Sequence, residues 1–197
     1  MSLATPAPGV IADVFGRSAV RNAVLVMAGA AFVGVAAQVA VPLPFTPVPL
    51  TGQTFAVLLT AAALGMWRGV AAMSLYAVAG VAGVPWFAGA STAIKGGALV
   101  VSFGYVLGFV AAAALVGWLA QRGATRTAPR TAGLMVLGNA VIYTFGALWL
   151  AAALSVPLTN AISLGVTPFL IGDALKVALA AGLFPLAWRA VEKFTKK

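Results

Sequence analysis

From Asn22 to Trp67 the chain carries no charged side chain, and from Thr131 to Gly172 it again carries none. A water-soluble surface cannot be made from such stretches, because soluble domains carry about 25% charged residues. This chain has 8%, with 62% hydrophobic residues and a mean hydropathy of +1.07. Apolar runs of about 20 residues match a hydrocarbon core about 30 Å thick. The pattern predicts an all-α, multi-pass membrane protein folded as one domain over residues 1–197, with residues 1–20 a short interfacial or disordered leader.

Six apolar segments emerge: Asn22 to Val41, Gln53 to Trp67, Gly69 to Val84, Ala98 to Ala120, Thr131 to Leu154 and Thr167 to Trp188. The second and third are short. Only Arg68-Gly69 separates them, which predicts a tight helical hairpin, a single kinked span being the alternative. With six crossings and both termini cytoplasmic, Arg17, Arg21, Arg68, Arg122, Arg126, Arg130, Arg189, Lys193, Lys196 and Lys197 all fall on one side. Lys95 falls on the other side and Lys176 inside the sixth segment. This asymmetry is the positive-inside bias, and five crossings would lose it by placing Arg122 to Arg130 outside.

Several functions are excluded by what the chain lacks. It has no Cys and no His, so disulfides, thiolate metal sites and the commonest general base are missing. Its acids are Asp13, Asp173 and Glu192, which argues against an enzyme, and nothing calls for a metal or a cofactor. The net charge of +9 does not indicate nucleic acid, because the basic residues flank apolar runs as lipid-bounding loops do. The leader has no apolar core before Arg17 and so does not read as a cleaved signal. No G-x-x-x-x-G-K-[ST] occurs, so that route to ATP hydrolysis is absent.

Polar and aromatic residues gather on the external side. The first external connection, PLPFTPVPLTGQT, carries Pro42, Pro44, Pro47 and Pro49, which remove backbone donors and fix extended geometry. It reads either as a rigid loop or as a ligand-facing wall, with Phe45 and Gln53 as its candidate contacts. The second, GVPWFAGASTAIKGG, combines Trp86 and Phe87 with glycines and leads to Tyr105. Aromatics at that depth anchor at an interface or face a ligand, and glycines let the backbone approach one.

Asp173 and Lys176 pose the sharpest question. On a helix entering near Thr167 they lie about 9 and 13 Å along the axis. A spacing of three puts them on one face, and an ionisable residue within a span costs about 2.5–3.5 kcal/mol unless it faces the bundle interior with a partner. They form either a mutually neutralising structural pair or a polar ligand site in the outer half of the bundle. Asn139 and Tyr143, four apart in segment five, join that face or make interhelical hydrogen bonds.

These motifs together, PLPFTPVPLTGQT, GVPWFAG, FGYVLGF and PFLIGDALKVALA, resemble the BioY family, the biotin-specific substrate-binding components of energy-coupling-factor transporters. The resemblance runs in order from segment one to segment six. It implies a six-helix protein of a bacterial cell membrane that binds biotin near the external face, surrounded by membrane lipid. It further implies a transmembrane coupling protein and two cytoplasmic ATPases as partners. Family usage puts biotin contacts on Asp173 and Lys176, and in the neighbourhood of Gly89, Ser91 and Tyr105. Phe45, Trp86, Phe87 or Tyr105 would supply aromatic walls. The small residues of segment one, Ala30 and Gly34 among them, are comparable to the Ala-rich face with which the family meets its coupling protein, and internal packing is the other reading. The alternative function is a self-sufficient secondary transporter or facilitator for a small carboxylated solute, driven through protonation of Asp173.

Overall fold

In a computed structural model of the chain, which describes residues 9–15 and 18–195, the apolar runs are helices. A helix satisfies its own backbone and can be apolar on every side. Helix α1 spans Ala19–Gln38, with the Ser18 hydroxyl accepting from the Arg21 amide at 3.2 Å. A two-stranded pairing follows, β1 (Ala40–Val41) antiparallel to β2 (Leu50–Thr51), and it closes the proline-rich loop into a hairpin. Helices α2 (Gln53–Leu64) and α3 (Met66–Val81) come next, then β3 (Ile94–Lys95) paired with β4 (Ala98–Leu99). Helices α4 (Phe103–Gln121), α5 (Ala128–Leu154), α6 (Leu158–Gly165) and α7 (Leu170–Thr195) complete the chain.

Among the described residues, four stretches are long and apolar enough to cross a membrane: α1, α4, α5 and the run 158–193 that contains α6 and α7. Helix α2, at 12 residues, rises only about 18 Å and α3 about 24 Å. Helix α4 is the central element, packed against α2, α3 and α5. Tyr76, Met73, Met135, Ile142 and Leu150 are fully buried around it. Outward-facing positions stay apolar too: Val20, Val24 and Val35 on α1 and Ile171, Leu175 and Leu179 on α7 are exposed.

Four expectations change. The turn between the second and third segments is at Gly65, not at Arg68-Gly69, which lie inside α3. Gly65 adopts φ +82°, a conformation a side chain would resist. Segment four begins at Phe103, not Ala98, because Ala98–Leu99 folds back on Ile94–Lys95 around Gly96 and Gly97, both at positive φ. The sixth segment is preceded by a separate helix, α6, joined to α7 by a 3-10 turn at Thr167–Phe169. Finally, residues 9–15, expected within an interfacial or disordered leader, are ordered against the bundle. Val10 and Ala12 are buried, Ile11–Phe15 is a 3-10 helix, and the Asp13 carboxylate pairs with Arg68 at 2.5 Å.

The helix directions bring most basic residues to one end. Arg21, Arg68, Arg122, Arg126, Arg130, Arg189 and Lys193 lie at the ends of helices away from the two β-hairpins, whereas Lys95 sits in one of the hairpins. Arg17, Lys196 and Lys197 fall outside the described residues. At the basic end the Arg126 guanidinium lies 3.4 Å over the Trp188 ring, and the Trp188 indole donates to the Thr125 hydroxyl at 3.0 Å.

Candidate functional site

The hairpin end of the bundle holds a cavity of about 1010 Å³, walled by the proline loop, the loop between α3 and α4, and the N-terminal turns of α2, α4 and α7 together with the C-terminal half of α5. Such a volume lies at the upper end of the usual range for small-molecule pockets. Its lining is mostly apolar, with a few polar groups gathered on one wall.

That wall is built on α7. Asp173 is buried and Lys176 nearly so, and the Lys176 ammonium donates to Asp173 Oδ1 at 2.7 Å. It also donates to the Thr51 carbonyl and the Thr54 hydroxyl, both at 2.9 Å. An ammonium has three donors, and all three are in use. Asp173 Oδ1 accepts a further bond from the Thr54 hydroxyl at 3.3 Å, and Oδ2 accepts from the Tyr143 hydroxyl. Four elements thus converge on one ion pair, and its charges are compensated where water is scarce.

A second chain of hydrogen bonds leads away from it. The Thr51 hydroxyl donates to Gln53 Oε1 at 3.1 Å, Gln53 Nε2 donates to the Tyr76 hydroxyl at 2.8 Å, and that hydroxyl donates to the Trp86 carbonyl at 3.3 Å. Tyr76 stacks on both Trp86 and Phe87, with centroids 5.1 and 5.0 Å apart. On the opposite side, the Tyr105 hydroxyl donates to the Gly165 carbonyl at 2.6 Å and the Thr46 hydroxyl to the Leu164 carbonyl at 2.6 Å. Those two bonds fasten the wall and the proline loop to the end of α6.

Of the residues singled out from sequence, Asp173, Lys176, Tyr105, Tyr143, Phe87, Gly89, Ser91 and Gln53 line this cavity. Three do not. Phe45 points away, 62% exposed, because the hairpin turns its neighbours Pro47, Val48 and Pro49 inward instead. Trp86 lies behind the wall, stacked on Tyr76 and packed against Gly34. Asn139 is buried beside a separate void of about 10 Å³ that also touches Thr54 and Lys176.

Ala30 and Gly34, expected on an outer docking face, point inward. Ala30 has no exposed surface, and a side-chain carbon at Gly34 would sit 3.2 Å from the Trp86 ring. Their small size serves packing of α1 within this chain. Sequence reasoning passed over Thr51, Thr54, Trp149, Phe169 and Lys95, all of which line the cavity. Thr54 was legible as a hydroxyl in the first turn of a mostly apolar helix. The Thr51 contact is a backbone carbonyl and left no trace in the sequence.

The comparisons agree with one another. The BioY family model matches residues 9–193. A protein of Thermotoga maritima named biotin transporter BioY is 35% identical over 144 residues, covering 72% of this chain and 81% of its own. A Pyrococcus horikoshii protein named probable biotin transporter BioY is 37% identical over 150 residues, covering 76% and 85%. The fold resembles a crystal structure described as the S-component for biotin from an ECF-type ABC transporter, with a TM-score of 0.74 at 21% identity over 86% of this chain and 92% of that one. The chain belongs to the BioY family.

Proposed function

We propose that this chain is the biotin-binding membrane subunit of an energy-coupling-factor importer, taking up biotin in the hairpin-end cavity. The observation that carries the reading is the Asp173–Lys176 pair, held by Thr54 and Tyr143 at the wall of a large apolar cavity in a chain whose relatives are named biotin transporters. The bicyclic head of biotin presents two ureido N–H donors, a carbonyl and a thioether, and its valerate tail ends in a carboxylate. Asp173 still has acceptor capacity on Oδ2, which suits an N–H donor. Lys176 has no free proton for a carboxylate. Lys95, exposed on β3 at the cavity rim, is the cation available to the tail.

On this reading the single domain crosses the bacterial cell membrane six times. Helices α2 and α3 form the short spans and α6 with α7 the last. The basic end, with both termini, faces the cytoplasm. The site residues are Asp173, Lys176, Tyr105, Tyr143, Phe87, Gly89, Ser91 and Gln53, joined by Thr54 and Lys95, with Asn139 and Trp86 supporting from behind. No cofactor takes part and the protein is not an enzyme. Energy comes from two cytoplasmic ATPases through a transmembrane coupling protein, which meets an exposed face of this subunit and not Ala30 or Gly34.

Reconstitution into liposomes, alone and with an energising coupling module, separates this from a gradient-driven carrier. ATP-dependent uptake of labelled biotin only in the presence of the module is the expected result. Equal uptake by the protein alone, abolished by collapsing the proton gradient, would favour the carrier.

A further inference from the structure

The loop between α3 and α4 forms one lip of the cavity through Phe87, Ala88, Gly89 and Ser91. It turns sharply: Phe87 and Ser91 exchange backbone hydrogen bonds at 2.9 and 3.3 Å, and Gly89 and Ala90 both adopt positive φ, +68° and +54°. A non-glycine residue such as Ala90 stays in that region only when its surroundings hold it there. Such a turn leaves backbone groups pointing outward without partners in the loop itself.

One side chain collects them. Gln38, the last residue of α1, accepts from the Ala90 amide through Oε1 at 3.0 Å. Its Nε2 faces the carbonyls of Trp86 at 3.2 Å and Phe87 at 3.3 Å, and that of Gly34 in its own helix at 2.9 Å. Both ends of the carboxamide are used, and only this orientation of donor and acceptor fits the four partners. One turn earlier, Gly34 gives the Trp86 ring its seat against the same helix. The end of α1 therefore grips both sides of the loop while lining none of the cavity.

We infer that Gln38 is the positioning residue of the cavity lip: it holds residues 86–91 in the ligand-ready shape and ties that shape to the position of α1. A ligand entering a lip already shaped does not have to order it, and this shows as slower release. The inference rests on the reading of the cavity as the biotin site.

The test compares Gln38→Ala and Gln38→Glu with the wild type, each as the full chain in detergent. Three quantities are read: release of labelled biotin in a chase, melting temperature without biotin, and amide hydrogen exchange across residues 86–91. Gln38→Ala should release biotin about tenfold faster and exchange faster at residues 87–91, with an unchanged unliganded melting temperature. Gln38→Glu keeps the acceptor for Ala90 but loses the donors, so it should fall between the two. Unchanged release would overturn the inference. So would a melting temperature that falls in step with affinity while Gln38→Glu fares no better than Gln38→Ala, because that pattern belongs to general packing. Should the wild type itself fail to bind biotin, the functional reading falls separately. Hydrogen exchange then decides this inference, and unchanged exchange at residues 87–91 in Gln38→Ala overturns it.

Discussion

Two partly buried ion pairs mark the two ends of this bundle, and they are built differently. Asp13 and Arg68 meet at 2.5 Å at the basic end, with side chains 10% and 14% exposed, and join the N-terminal 3-10 turn to α3. Neither lines the large cavity. Asp173 and Lys176 sit on one helix, three residues apart, and draw in Thr51, Thr54 and Tyr143 from two other elements and a strand beside a cavity of about 1010 Å³. The first pair ties one segment to another. The second organises a polar wall facing empty space, and a buried pair is a weak source of stability in itself. The contrast teaches that burial and pairing alone do not mark a site; a pair acquires functional meaning from what it faces.

Removing one partner from each pair separates these roles. Lys176→Met leaves the Asp173 carboxylate buried without its counter-ion and should cost about 3–5 kcal/mol of stability, with biotin affinity reduced as well. Arg68→Met removes one of the partners of Asp13, which the Val10 amide also holds, and should cost about 2 kcal/mol, with biotin affinity within about twofold of the wild type. Denaturation and biotin titration in the same detergent check both. An equal loss of affinity in the two variants would erase the distinction between the ends.

A milder pair of substitutions repeats the comparison with single hydrogen bonds. Tyr105→Phe removes the donor to Gly165 in the cavity wall, and Trp188→Phe removes the donor to Thr125 at the basic end. Each should cost about 1 kcal/mol of stability. Only Tyr105→Phe should weaken biotin, as read by competition binding.

The smallest effect is expected from exposed charge. Lys95→Gln should weaken biotin roughly twofold to fivefold at low salt, the difference shrinking as salt screens it. Arg122→Gln, at the basic end and lying 3.6 Å over Trp118, should leave affinity unchanged at every salt concentration. A salt-independent loss on Lys95→Gln would mean that Lys95 shapes the rim without meeting the ligand's charge.

The sequence carried the local part of this architecture and lost the distant part. Asp173 and Lys176 were legible because helical spacing alone puts them on one face. Tyr143 was reachable because a hydroxyl stands out in an apolar span. The extent of α4 is not set by hydropathy, because Ala98 opens an uncharged apolar run that continues into the helix, whereas two residues able to take positive φ between short extended pairs signal a hairpin. Phe45 was not placed by its sequence because it sits at the exposed tip of the loop between β1 and β2, where the path of the turn and no local periodicity decides which residues face the cavity. For Ala30 and Gly34 the sequence leaves docking and internal packing both open, because small residues give the same pattern whether the neighbour is Trp86 of this chain or another protein. Asp13 and Arg68 lie 55 residues apart, and no local pattern joins them.

The most direct test is calorimetric titration of biotin into the wild type and into the double variant Asp173→Asn with Lys176→Met, after both are shown to be folded. Replacing the pair together avoids a stranded charge, so stability should be largely retained. The account predicts about one biotin per wild-type chain and a severe loss of affinity in the folded double variant. Biotin bound with wild-type affinity by that variant would show that the pair is only structural and that the site must lie elsewhere.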